Sequence, residues 1–258
     1  MLQQSFFILA NLRLHSQSRK MQIQHILLAE TSFMHKLTNK YLQQDNSVAD
    51  LYKWPLSLEG IKQAIQSRNQ FSVNRNLLAE TLQSQYNNVF DGFAQNTENK
   101  LVADNISSLQ QENTFTVTTG HQLNIFTGPL YFIYKIVSAI KLAQQLKDKF
   151  PENNFVPVYW MASEDHDFEE INHIYLWGKM LQWQTESKTA VGYLNPKLLE
   201  NTLAEVEQIL GTRPNSSEII SLFKNAYLKQ ENLAQATRFL VHNLFKAYGL
   251  IIIDADNA

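Results

Sequence analysis

The 258-residue sequence contains no cysteine. Disulfides, thiolate nucleophiles and cysteine-based zinc sites are therefore excluded together, and the composition is compatible with a reducing compartment. Basic charge is also short. The 22 Lys and Arg stand against 24 Asp and Glu, giving a net charge of −2, and no basic run is dense enough to follow a phosphate backbone, so nucleic acid is not an expected partner. No apolar run approaches the ~20 residues that cross a bilayer, and no membrane partner is expected. The apolar patch between Phe6 and Leu12 has no basic residue before it and no small-residue cleavage site after it, so it does not read as a signal peptide. Glycine is scarce at 8 residues. In such a chain, a glycine flanking a loop marks a backbone that needs it.

What the sequence does have is apolar residues, 44% of the chain, enough for a sizeable core in one large or two small domains. Residues 1–20 read as an extension from an upstream start codon, because ordinary soluble sequence begins at Met21. Residues 21–113 read as helical. Apolar residues fall at helical spacing over 24–43, a loop carries Trp54 and Pro55, and Ser57 with Glu59 in the first turn opens a second helix. Further amphipathic segments span 75–86 and 99–111. Their leucine and aromatic stripes read as core.

At Thr114 the period changes. TFTVTTG alternates as a strand and stops at Gly120; the loop GHQLNIFTG follows, bracketed by Gly120 and Gly128, with positive φ or close approach of a ligand as the reason for the two glycines. Thr127 and Pro129 read as a helix start, N-cap and first turn, and the helix runs to about Phe150. FVPVYWMAS is continuously apolar, the pattern of a parallel strand covered on both faces. The result is a βαβ unit over 114–184, and ligands in such sheets collect beyond the carboxyl ends of the strands. The loop matches neither GxGxxG nor GxxxxGK[ST]. A buried helix start still offers its amides to a phosphate or carboxylate. Lys135 and Ser138 share a helix face with Tyr131, but about 10 Å of rise separates Lys135 from Gly128, which places it against an extended ligand or at the rim of the core.

After the second strand, SEDHDFEEINH gathers five carboxylates and two histidines. Three readings compete. The acids can simply cap the next element and face solvent, the assignment favoured for Glu169 and Glu170. Asp165, His166, Asp167 and His173 can ligate magnesium, manganese or zinc. His166, tuned by adjacent carboxylates, can serve as general acid or base. Beyond it, HIYLWGKMLQWQT reads as a hairpin, 196–210 and 216–248 as helices, the second ended by Gly249, and 250–253 as a third buried strand with Asp254, Asp256 and Asn257 at its polar end. Residues 185–248 thus form a helical insertion and 249–258 the third core strand. No crossover helix can follow in the remaining residues, so either the front helices cover this strand or the chain is a fragment with an exposed apolar face, the reading preferred here.

TGHQLNIFTGPLYFIYK and VPVYWMASEDHDFEEINH, in this order and followed by GLIIIDADNA, resemble the cysteine-adding BshC family of bacillithiol biosynthesis from Met21 to Ala258. The resemblance implies an α/β fold with a Rossmann-like parallel sheet related to nucleotidyl-transferases and class I synthetases. It implies a cytoplasmic ligase, homodimeric at full length, that joins L-cysteine to the amino group of glucosaminyl malate through an activated carboxylate. Family members continue into a long helical coiled coil. ATP is the expected cofactor and Mg2+ a further candidate, with Asp165 as its ligand. On this reading Asp165, His166 and Asp167 are the catalytic candidates. Gly120, His121, Gln122, Thr127, Gly128, Tyr131, Lys135, Ser163, Glu164, Asn172, Asp254 and Asp256 are the binding candidates. A metal-dependent hydrolase using EDHD and a non-catalytic small-molecule binding protein are the alternatives.

Overall fold

The computed structural model describes Ile26, Thr31 and residues 33–256. The expected extension over 1–20 lies outside them. The chain divides into two compact units between Val73 and Asn74, so the boundary falls inside the helical stretch read as 21–113. In the first unit, α1 covers Lys36–Leu42 and α2 covers Leu58–Arg68. Ser57 is the N-cap of α2, its Oγ accepting from Gly60 N–H at 3.0 Å.

The second unit holds α3 (Arg75–Asn87), α4 (Lys100–Ser108), β1 (Thr114–His121), α5 (Tyr131–Lys149), β2 (Asn154–Met161) and α6 (Phe168–Ile171). β3 (His173–Leu176) and β4 (Lys179–Gln182) form an antiparallel hairpin. Trp177 and Gly178 turn it with φ of 47° and 83°, as a two-residue connection between twisted strands requires. α7 (Glu200–Leu210), α8 (Ser216–Tyr227), α9 (Leu233–Phe245) and β5 (Ile251–Asp254) complete the unit. The single helix expected over 216–248 is thus two. Asn232 starts the second by accepting from Gln235 N–H at 2.9 Å, a side-chain cap that the leucine pattern around it conceals.

β1, β2 and β5 form one parallel sheet with β2 in the centre. The order explains the sequence: central β2 is buried over Val156–Tyr159 and at Met161, whereas edge strand β1 alternates. The register sets His121 beside Met161, and Met161 beside Asp254. All three strands therefore end level, and the loops after them open onto one rim.

β5 is not left bare. Ile251 and Ile252 are fully buried, and α3, α4 and α9 pack on the strand, so the exposed apolar face expected at the third strand is absent. Its outer edge is also closed by side chains. Tyr86 Oη accepts from Ile252 N–H at 2.9 Å, Arg238 Nη1 donates to Ile252 O at 2.8 Å, and Gln85 brackets Asp254, donating to its carbonyl at 2.7 Å and accepting from its amide at 3.2 Å. A buried strand edge needs such partners, since each unmet backbone group costs about as much as a lost hydrogen bond.

Candidate functional site

The turn after β1 is held from below. Tyr159 Oη, fully buried in β2, donates to His121 O at 3.1 Å. The His121 ring stacks on Tyr131 with centroids 4.9 Å apart and meets Phe132 at 5.1 Å, so it lies between the strand end and the first turn of α5. Its Nδ1 accepts from Gln122 N–H at 2.8 Å, which leaves the proton on Nε2. That Nε2 is buried and has no hydrogen-bond partner among the described residues. Burial, reinforced by the Lys135 charge, lowers the His121 pKa from 6.5 to about 4. Lys135 itself leans back along α5 and donates to Gly120 O at 2.5 Å. Side chains on a helix point toward its N-terminus, so the ammonium reaches back to the end of β1.

The loop between β1 and α5 is strained. Phe126, Thr127 and Gly128 have φ of 53°, 70° and 55° in succession, a left-handed path that costs non-glycine residues free energy. Tertiary packing maintains it: Phe126 N–H donates to Tyr227 Oη at 2.7 Å, and its ring lies against Phe223 and Tyr227 of α8 at 5.0 and 5.1 Å. Gly128 combines its φ with ψ of −145°, and a Cβ there would stand 2.4 Å from Asn124 Cβ. Thr127 is consequently not the N-cap of α5; Leu130 is, without a side-chain cap. The Gly128 amide is taken by Ile125 O at 2.9 Å. With Gln122 N–H given to His121, two amides expected to cradle an anion are spent within the loop.

The acidic segment diverges rather than converging. Asp165 Oδ2 accepts from Gln122 Nε2 in a short hydrogen bond, and its Oδ1 accepts from the amides of His166 and Asp167 at 2.6 and 3.3 Å. These donors, Gln122 foremost, hold its carboxyl below the usual range, so Asp165 is a fixed negative charge and a weak base at neutral pH. Asp167 is the N-cap of α6, its Oδ1 accepting from Glu170 N–H at 3.2 Å. His166, Glu164, Glu169 and Glu170 face solvent. Among the described residues no group of three or more His, Asp or Glu could hold a metal ion. The EDHD metal-hydrolase reading therefore has no ligand set. Asn172 is buried and serves the hairpin: its carbonyl accepts from Trp183 N–H at 2.7 Å and its Oδ1 meets His173 Nδ1 at 3.0 Å.

Ser163, also buried, donates to Asp254 Oδ1 through a short hydrogen bond. Asp254 Oδ1 further accepts from Asp256 N–H at 3.3 Å. The level strand ends thus bring His121, Gln122, Lys135, Ser163, Asp165 and Asp254 to one rim of a Rossmann-like sheet. The family described as bacillithiol biosynthesis BshC, N-terminal Rossmann-like domain, matches residues 21–258. The chain belongs to that family. It is 47% identical over 232 residues to the "Putative cysteine ligase BshC" of Flavobacterium psychrophilum, covering 89% of this chain and 42% of that protein. To the protein of the same name from Flavobacterium johnsoniae it is 46% identical over 230 residues, 88% and 42% of the two chains. The Bacillus cytotoxicus relative is 29% identical over 223 residues, 83% and 40%. The chain spans about 42% of the length of the first two relatives.

This BshC-family domain also uses residues that the sequence did not single out. Val191 N–H donates to Asp165 O at 2.7 Å and Gly192 N–H to Ser163 O at 2.9 Å, so the segment 190–193 is strapped across the acidic loop. A Cβ on Gly192 would come within 2.8 Å of Ser163 Cβ, which makes glycine the fitting residue. The strap sets Tyr193 near Asp256, whose carboxylate favours the protonated hydroxyl and raises its pKa, with Asp254 adding to the rise. Gln85 and Arg238 support the rim from behind. The Arg238 guanidinium is buried, donates to Gln85 Oε1 at 2.7 Å and lies over the Tyr86 ring at 5.0 Å. The scarcity of glycine was the available signal for Gly192; an arginine inside an apolar helix was the signal for Arg238.

Proposed function

We propose that the full-length protein joins the carboxyl group of L-cysteine to the amino group of glucosaminyl malate, and that the rim formed by β1, β2 and β5 is where the two meet. The observation that carries this reading is the level ending of the three strands, in a family whose relatives are named cysteine ligases. Polar groups of both signs collect there: His121 and Lys135 at β1 for an oxyanion, Asp254, Asp256 and Tyr193 at β5 for an ammonium group. Forming an amide from a carboxylate needs a leaving group on the acyl carbon, and bound ATP would supply it. The unsatisfied His121 Nε2–H and the Lys135 ammonium fit a phosphate. Among the described residues no group of three or more His, Asp or Glu could hold Mg2+, and no step is assigned to it.

In this reaction the amine nitrogen bonds to the acyl carbon, the leaving group departs with its electron pair, and one amine proton must be removed. Asp165 is a poor acceptor because of its lowered pKa. His166, exposed beside it, takes the proton, and Asp165 stabilises the imidazolium that results. Full-length protein incubated with L-cysteine, glucosaminyl malate and ATP should yield the amide-linked product by mass spectrometry. Absence of that product with all three present would overturn the assignment.

A further inference from the structure

We propose that His121 binds ligand through its Nε2–H, which with the Lys135 ammonium takes one oxygen of a phosphate or carboxylate at the carboxyl end of β1. The inference rests on the reading of this rim as the ligand site, and it names the donors and the class of group they take. The tautomer is fixed by geometry, since the Gln122 amide donates to Nδ1 at 2.8 Å, so the free nitrogen is a donor and not an acceptor. The donor is enclosed. His121 is only 8% exposed, and Nε2 has no partner among the described residues. A buried N–H without an acceptor is costly, and native structures retain few of them.

The charge around the ring points to an anion. Lys135 lies close enough to act on the His121 ring, and its ammonium is anchored on Gly120 O. It takes part in none of the ion pairs among the described residues. Two donors, one of them cationic, therefore stand together without an acidic partner, beside the N-terminal turn of α5, whose dipole favours negative charge. Access is open at the backbone. Gly120 is exposed, and a Cβ built on it would meet nothing nearer than Trp160 O at 3.9 Å, so a ligand oxygen can approach the strand end. Tyr131 covers the ring and is itself half exposed at 50%, which makes it the side chain that a ligand would displace or stack upon. The Asp165 carboxylate is already occupied by Gln122, His166 and Asp167.

Titration calorimetry of this chain with ATP, inorganic pyrophosphate, L-cysteine and L-malate provides the test, comparing wild type with His121→Phe, His121→Gln and Lys135→Met. The phosphate and carboxylate probes tell the two sources apart. At least one probe should bind wild type, weaken about tenfold or more in His121→Phe and Lys135→Met, and be restored to within a few-fold in His121→Gln, which keeps an N–H donor. Nitrogen-15 spectra should show a neutral imidazole protonated on Nε2, with that resonance moving when the probe is added. Equal binding to folded His121→Phe, a proton on Nδ1, or no binding of any probe to wild type would each overturn the proposal. The ligase assignment fails separately: full-length wild type lacking product would end it, whereas an unchanged KM in full-length His121→Phe would end only the role of His121.

Discussion

Ser163 Oγ donates to the Asp254 carboxylate and so ties the loop after β2 to the last residue of β5. Behind that bond stands Gln85, which holds both backbone groups of Asp254, and behind Gln85 stands the buried Arg238 guanidinium. The rim is therefore fastened to α3 and α9 by a continuous polar chain. Desolvation lowers the Arg238 pKa, and Tyr86 and Asp254 are the groups that counter it. Removing one partner of such a buried set leaves another exposed to the full cost of desolvation.

Gln85→Leu should therefore destabilise the protein by about 2–4 kcal/mol, because the amide and carbonyl of Asp254 and one Arg238 donor lose their partner together. Ser163→Ala should cost less, about 1–2 kcal/mol, since Asp256 N–H still reaches Asp254 Oδ1. Urea unfolding of the two variants gives the ranking. Equal, negligible losses would show that the chain of bonds does not hold the rim.

Gly128→Val should unfold or strongly destabilise the domain. The reading of Gly128 as a helix mouth open to ligand predicts loss of binding with the fold intact, but φ of 55° with ψ of −145° and a 2.4 Å approach to Asn124 leave no room for a side chain. A melting temperature within a degree or two of wild type would contradict this.

Asp165→Asn should leave stability nearly unchanged, within about 1 kcal/mol, because an amide oxygen can still accept from His166 and Asp167. In full-length protein it should reduce turnover by removing the charge beside His166. Thermal melts and product assays on the same preparation separate the two effects.

Stability should fall as the pH drops from about 6.5 toward 4. His121 and His242 both have folded pKa values lowered from 6.5 to about 4, chiefly by burial. Above 6.5 both imidazoles are neutral in either state and the full stability is present. Below it the unfolded chain binds protons that the folded chain refuses, which draws the equilibrium toward unfolding. At about 1.4 kcal/mol per pKa unit, His242 of α9 contributes on the order of 3 kcal/mol across that window, and His121 contributes less because solvent screens its shift. Urea midpoints measured between pH 7.5 and 4.5 should decline, and less steeply in His121→Gln. A flat profile would mean that neither imidazole is held neutral.

The strands were legible in the sequence because their neighbours dictate their composition. β2 is apolar from Phe155 to Met161 since it lies between β1 and β5, and β1 alternates since it lies at the edge. The rim followed from polar residues at the ends of those strands. The α5 start was misread because Thr and Pro carry a strong local cap signal, while the deciding contacts come from Tyr227, 100 residues away in chain order from Thr127. Lys135 leans back along α5 to Gly120 O, a reach that its position on the helix allows and that tertiary structure fixes. Asp167 looked like a ligand and is a cap, since carboxylates serve either purpose and only the turn of α6 decides between them. Tyr193 and Gln85 join the rim through tertiary contacts that no local pattern announces.

Amide hydrogen exchange of the full-length protein, measured with and without L-cysteine, glucosaminyl malate and ATP together, tests the placement of the site most directly. Protection should rise in the segments 119–128, 163–166, 190–193 and 254–256. Protection confined to other parts of the molecule, with these four segments exchanging as in the free protein, would contradict it.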